Sequence, residues 1–154
     1  MKYILPLVTL PLMGCAQLGL PMQNEPVATA PAPAATDSTA APPPPQAART
    51  VEQFDTTTAE QRAAAAAPAS GGASLGTAVA SLGDPSQPGF WVETDLVSAV
   101  GSGRITLIAS GQSVEVELRP IGGGSARVSL AAWRLLEVPL TDLAEIEIFL
   151  GDSA

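Results

Sequence analysis

Carboxylates are the main acid–base chemistry this chain carries: fifteen Asp and Glu stand against seven Lys and Arg, with no histidine and one cysteine, Cys15. Glycosidic cleavage uses a protonated carboxyl at the leaving oxygen and a second carboxylate across the sugar. Asp84, in Gly83-Asp84-Pro85, and the pair Glu93 and Asp95 are the weak candidates for such work. Glu115 and Glu117 form another pair whose spacing of two puts both on one face of a strand. Each also has a plainer explanation. An aspartate in a turn bonds the nearby backbone, and the face that carries each acidic pair is the wet one. Among the aromatic residues, Phe90, Trp91 and Trp133 suit stacking on a sugar ring, and Trp91 is the candidate for it, although so few aromatics must also supply the core. Ser113, Ser125 and Ser129 have no base to activate them. Gly122-Gly123-Gly124 lacks the lysine of a phosphate-cradling loop and reads as a turn. No spacing suggests a metal site or a cofactor. The reading favours a non-catalytic chain and leaves catalysis open.

Cys15 has a context that points elsewhere. Lys2 gives a positive start, Ile4 to Leu12 an apolar run interrupted by Pro6 and Pro11, and Leu12-Met13-Gly14 leads into the cysteine. That run is too short for a transmembrane helix, which needs about 20 apolar residues, but has the length of a secretory leader. The stretch Leu12-Met13-Gly14-Cys15 resembles the lipobox of bacterial lipoproteins. The resemblance implies that residues 1–14 are a signal peptide, that Cys15 is diacylated on sulfur, and that the amine freed by cleavage is acylated as well. Two acyl chains already give stable anchoring, so three should be effectively permanent. Ala16, in place of an aspartate that would signal retention in the inner membrane, implies the outer membrane and its periplasmic face.

The mature chain would keep no lysine, and its six arginines face fifteen acids, a balance of minus nine. With no basic patch to release counterions, nucleic acid is excluded as a partner by general electrostatics. With Cys15 acylated, no disulfide is available, so the core alone must stabilise the fold.

Residues 15–49 are the acylated cysteine followed by sequence dominated by Ala, Pro, Thr, Ser and Gln, including the run Pro42 to Pro45. Such composition reads as a disordered or polyproline II tether. At about 3.1 Å per residue, some thirty residues could hold a domain roughly 90 Å from the membrane. Residues 50–70 read as a short helix and linker. Both Thr57 with Glu60 and Thr58 with Gln61 fit a capping box, Arg62 to Ala67 are nearly all strong helix formers, and Pro68 ends the run. Without a continuous apolar stripe, this helix reads as a solvated spacer, with Val51 and Phe54 as contacts to the domain.

Residues 71–154 read as a small β-rich domain. Strands are expected over Leu75 to Leu82, Phe90 to Thr94 and Gly103 to Ala109. The clearest alternation follows, with Val114, Val116 and Leu118 between Glu115, Glu117 and Arg119. Ser129 suits the cap of a short helix through Leu130, Trp133 and Leu136, stopped by Pro139. Ile146, Ile148 and Leu150 alternate in a last strand. About five or six strands and one short helix in so few residues suggest a mainly β fold, closed into a barrel because open edges invite pairing.

Gly111-Gln112-Ser113-Val114-Glu115-Val116-Glu117-Leu118, a glycine-rich turn and Arg127-Val128-Ser129-Leu130-Ala131-Ala132 resemble the second half of rare-lipoprotein-A-type double-psi β-barrels. The likeness covers roughly forty residues and implies a double-psi-like barrel. Members of that family with lytic transglycosylase activity cleave the glycan strands of peptidoglycan. Here the family's N-D-R-G-P turn is replaced by Arg119-Pro120-Ile121-Gly122, its aspartate before the helix is lost around Ser129, and no histidine exists. Val79-Ala80-Ser81-Leu82-Gly83-Asp84-Pro85 through Pro88-Gly89-Phe90-Trp91 is also similar to small uncharacterised lipoproteins that sometimes carry a D-galactarate dehydratase label. Metal-assisted dehydration needs a ligand cluster and a base, and this chain offers no convincing set.

The expectation is therefore an outer-membrane lipoprotein, held by acylated Cys15, whose small non-catalytic barrel binds an envelope protein or the cell-wall glycan peptidoglycan. Two alternatives stay open: a lytic-transglycosylase-like barrel using non-standard acids, and a module that assembles through a sheet edge.

Overall fold

The alternation of apolar and polar residues that marks Val114 to Arg119 runs through most of the fold. The computed structural model describes residues 40–68 and 71–151; Cys15, the leader and the tether as far as residue 39 lie outside them. The elements are α1 (Val51–Phe54), α2 (Ala59–Ala65), β1 (Ser74–Leu82), β2 (Trp91–Thr94), β3 (Gly101–Leu107), β4 (Ser113–Pro120), β5 (Ala126–Val128), α3 (Leu130–Leu135) and β6 (Ala144–Leu150). The strands form a closed barrel in the order β1-β5-β2-β4-β3-β6. None of the six is left with the unpaired edge that sheet-edge assembly would use.

Alternation fills the barrel. Val114, Val116 and Leu118 of β4, Ile105 and Leu107 of β3, and Ile146 and Ile148 of β6 point inward with Val92 and Val128. From α3, Ala132 and Trp133 join the same core, as does Leu136 at its end. The indole N–H of Trp133 donates to the carbonyl of Pro139 at 3.1 Å, so its buried polar atom is satisfied. Ser129 caps α3 by accepting from the N–H of Ala132 and also accepts from the N–H of Trp91 at 3.1 Å. A buried hydroxyl therefore ties α3 to the start of β2. β5 escapes the periodicity test because three residues behind Gly122-Gly123-Gly124 are too few to alternate.

The register shows two interlocked halves, β1-β2-β3 and β4-β5-β6. The parallel pair β1–β5, with Ala80 opposite Ala126, corresponds to the parallel pair β4–β2, with Leu118 opposite Val92. Antiparallel β1–β6, with Ala78 opposite Ile146, corresponds to β4–β3, with Val116 opposite Gly103. The bond from the N–H of Gly83 to the carbonyl of Val128 likewise corresponds to that from Ile121 to Thr94. The result is a double-psi-like barrel with an internal pseudo-twofold axis, in which each half contributes one strand to a parallel pair with the other.

Residues 40–68 pack against this barrel, which corrects the reading of α2 as a solvated spacer. Thr58 and Gln61 make the capping box, and Ala65, 6% exposed, enters the core cluster. Alanines alone make this contact, so no stripe of large apolar residues announces it in the sequence. Ala41 and Ala48 are buried as well, and the hydroxyl of Thr56 donates to the carbonyl of Pro42. A second capping box, Thr50 with Gln53, starts α1. Between the helices, the Asp55 side chain is 1% exposed and lies 2.7 Å from Arg134 of α3 and 3.8 Å from Arg62 of α2. The Thr57 hydroxyl donates to the same carboxylate at 2.5 Å. No helix among the described residues is long and apolar enough to cross a membrane.

Candidate functional site

The outer face of β4 carries Glu115, Glu117 and Arg119, because its inner face is committed to Val114, Val116 and Leu118. Those three polar residues line a groove of about 670 Å³. Pro88, Gly89 and Phe90 of the loop before β2 close one side, and Val100 to Ser102 at the start of β3 continue the floor. The remaining wall comes from the segment before the barrel, through Ala40, Ala41, Gln61, Ala64 and Ala65. The groove is thus built jointly by the barrel and by the residues that precede it.

Arg119 is fixed on several sides. Its Nε donates to a Glu117 carboxylate oxygen, Nη1 donates to the side-chain carbonyl of Gln87 at 3.3 Å, and the guanidinium lies 5.3 Å from the Trp91 ring centroid. Glu115 lies opposite Arg104 in the β3–β4 register, and the Arg104 guanidinium stacks 4.4 Å from the Phe149 ring centroid. The groove is therefore lined by two carboxylates, one guanidinium held in place, the Gln61 side chain, whose carbonyl accepts from the Thr58 N–H at 2.8 Å, and the half-buried Phe90 ring. This set suits a polar ligand with one apolar face. Both carboxylates stand on the same strand, hence on one wall, whereas glycosidic cleavage needs two carboxyls flanking the bond.

The acids singled out from the sequence lie elsewhere. Asp84 accepts from the hydroxyl of Ser86 at 2.7 Å and from its N–H at 2.9 Å. These bonds, the hydroxyl's first, hold its carboxyl below the usual aspartate value. A carboxylate kept ionised in this way is unsuited to donating a proton at neutral pH. Glu93 faces Arg127 at 3.4 Å, and Asp95 is exposed just beyond β2. None of Asp84, Glu93 and Asp95 is among the residues lining the groove. Trp91 is 1% exposed, and its indole N–H donates to the carbonyl of Gln87 at 3.3 Å. With Arg119 over the ring and Gly83 packed beside it, Trp91 has no open face for a sugar in this structure. Phe90 is the aromatic residue that lines the groove. No group of three or more His, Cys, Asp or Glu among the described residues is placed to hold a metal ion.

Gln61 and Arg119 are the groove residues that sequence reasoning left out. The capping box located Gln61 on a helix without saying where the helix docks. Arg119 was visible only as one polar position in an alternation. No protein-family model matches the chain, nor does any curated protein sequence or solved structure.

Proposed function

We propose that this chain is a lipid-anchored envelope protein whose barrel is a binding module for cell-wall glycan, working by positioning rather than by bond cleavage. Anchoring would run through acylated Cys15 to the periplasmic face of the outer membrane. The observation that carries the binding reading is the groove itself: Phe90, Gln61 and Arg119 beside two carboxylates that share one wall. A sugar ring can lay its apolar face on Phe90 while its hydroxyl and amide groups meet the polar side chains. The acidic balance of the chain disfavours nucleic acid and anionic headgroups as ligands.

Intact peptidoglycan incubated with the soluble chain from residue 16 to Ala154, then pelleted, tests the reading. Co-pelleting without release of soluble fragments, followed by mass analysis of the supernatant, is the expected result. Released muropeptides would overturn the non-catalytic reading, and absence from the pellet would overturn the glycan in favour of a protein partner. The anchor has its own test: labelled palmitate should enter the full chain and not a Cys15→Ala variant, and the wild type should fractionate with outer membranes.

A further inference from the structure

Proline dictates the backbone of Ala41 to Pro45 before any packing is considered. Each pyrrolidine ring fixes its own φ, and a residue followed by proline is pushed into the extended region, so Ala41 to Pro44 are all driven towards polyproline II geometry. Burial in the fold repeats with the three-residue period of that helix: Ala41 is buried and Pro44 half-buried, whereas Pro42, Pro43, Pro45 and Gln46 are exposed. One edge of the run therefore lies on the protein, and the other two face outward with three of its four prolines. The run is also held at both ends. Ala41 and Ala48 are 5% and 4% exposed, the Pro42 carbonyl accepts from the Thr56 hydroxyl, and the Pro45 carbonyl accepts from the N–H of Ala48 at 2.9 Å. A stretch held at both ends adds no reach to a tether, so spacing does not account for its stiffness.

We propose that Pro42, Pro43 and Pro45 form a docking site for a partner protein with an aromatic-lined groove, of the kind that reads polyproline II segments. The chemistry of the run selects that partner. Four consecutive prolines carry no backbone N–H, so a sheet edge cannot pair with them, and no charged side chain in the run offers an ion pair. What the run presents is a ridge of pyrrolidine rings and the carbonyls of Pro43 and Pro44, neither of which has a hydrogen bond among the described residues. Flat aromatic rings pack against such a ridge, and the N–H of a tryptophan or the O–H of a tyrosine can donate to those carbonyls. Because the fold already holds the run in the bound geometry, the partner is spared the entropy of ordering it. None of these prolines lines the groove beside α2, so this inference stands or falls independently of glycan binding.

The test uses the chain from residue 16 to Ala154, labelled with 15N, a free peptide of residues 40–49, and two probes with aromatic proline-binding grooves, an SH3 domain and a WW domain. At least one probe should shift the amides of Ala41, Gln46 and Ala47, which flank the prolines, and leave those of β6 unmoved. The folded chain should bind that probe roughly threefold more tightly than the peptide, because the fold presents the run already ordered. Pro42→Ala combined with Pro45→Ala should weaken binding to the chain roughly tenfold. Both positions are exposed, and unchanged amide shifts in α2 and the barrel would show that the variant still folds. Four results would overturn the proposal: no shift with either probe at millimolar concentration, shifts that fall away from this run, a peptide that binds as tightly as the chain, or binding that the double substitution leaves unchanged.

Discussion

Glu93 of β2 and Arg127 of β5 face each other across an antiparallel pair at one end of the pseudo-twofold axis, Oε2 to Nη1 3.4 Å, while Ile105 of β3 and Ile148 of β6 face each other at the opposite end. The same symmetry element thus joins the halves by a solvated ion pair at one end and by two fully buried aliphatics at the other. These should differ sharply in what they contribute. Arg127 is 60% exposed, so Arg127→Ala should change stability by less than about 1 kcal/mol. Ile148→Ala removes buried methyl groups from a closed barrel and should lose about 2–5 kcal/mol. Urea unfolding of the two variants compares them directly; equal losses would mean that the charged end bears more of the fold than its exposure implies.

Gly103 is fixed by close approach. A Cβ there would lie 2.5 Å from the carbonyl oxygen of Phe149 and 2.6 Å from Cγ of Leu118. The Phe149 oxygen belongs to the neighbouring strand and cannot yield without opening the barrel. Gly103→Ala should therefore destabilise by about 3 kcal/mol. Gly101→Ala, whose Cβ would meet nothing within 4 Å, should stay within about 0.5 kcal/mol of the wild type. A thermal melt of each variant is sufficient to separate them.

Much of this fold could be read from side-chain alternation, and the reasons for the gaps are specific. Val114, Val116 and Leu118 alternate over enough residues to fix a strand and its inner face, and Ser129 with Pro139 marks the limits of α3. β5 is three residues long, so only its partners β1 and β2 define it. The pseudo-twofold leaves almost no trace, because equivalent positions carry unlike residues: Val79 answers to Glu117 and Glu145 to Ser102. The groove was half visible, since Glu115 and Glu117 were read as sharing one face. Its far wall was not, because α2 docks through alanines, which helix propensity explains equally well.

Asp84 should show its environment in a titration. The Ser86 hydroxyl and N–H hold its carboxyl below the ordinary value of 3.8 in the folded chain. A group depressed on folding contributes stability that is present above its unfolded pKa and is lost as pH falls through the folded one. Ser86→Ala should raise the Asp84 pKa towards the ordinary value, as read by carboxyl 13C shifts. The variant should be less stable than the wild type at neutral pH, with the difference vanishing at acid pH once Asp84 is protonated in both states. An unmoved pKa would show that the Ser86 hydroxyl does not stabilise the carboxylate.

Asp55 joins the segment before the barrel to α3. Its carboxylate is buried between Arg134 and Arg62, which are 38% and 40% exposed. Removing Arg134 leaves a buried carboxylate with one distant cation, whereas removing Asp55 leaves two arginines that can turn to water. Arg134→Ala should therefore lose about 1–2 kcal/mol, reduced from the fully buried case by solvent screening. Asp55→Asn, which keeps an acceptor for Thr57, should lose less. Hydrogen exchange is the more informative readout: protection should fall in α1 and α2 and persist in β3, β4 and β6.

If α2 forms one wall of the groove, barrel stability and ligand binding should separate when that wall is taken away. A chain that begins at residue 71 keeps all six strands and α3 but loses Gln61, Ala64 and Ala65, and exposes the apolar surface that Ala65 covers. The apolar area involved is small, so the loss should be roughly 2 kcal/mol, enough to lower the melting temperature without unfolding the barrel. Co-pelleting with peptidoglycan should nevertheless be lost, because the ligand would face an open sheet, with Phe90, Glu115, Glu117 and Arg119 on one side and no opposing wall. Gln61→Ala in the soluble chain should weaken pelleting and also lower the melting temperature modestly, because the Thr58 N–H loses the capping bond that it donates to the Gln61 side chain. Retained pelleting by the shortened chain would move the binding surface off this groove and onto another face of the barrel.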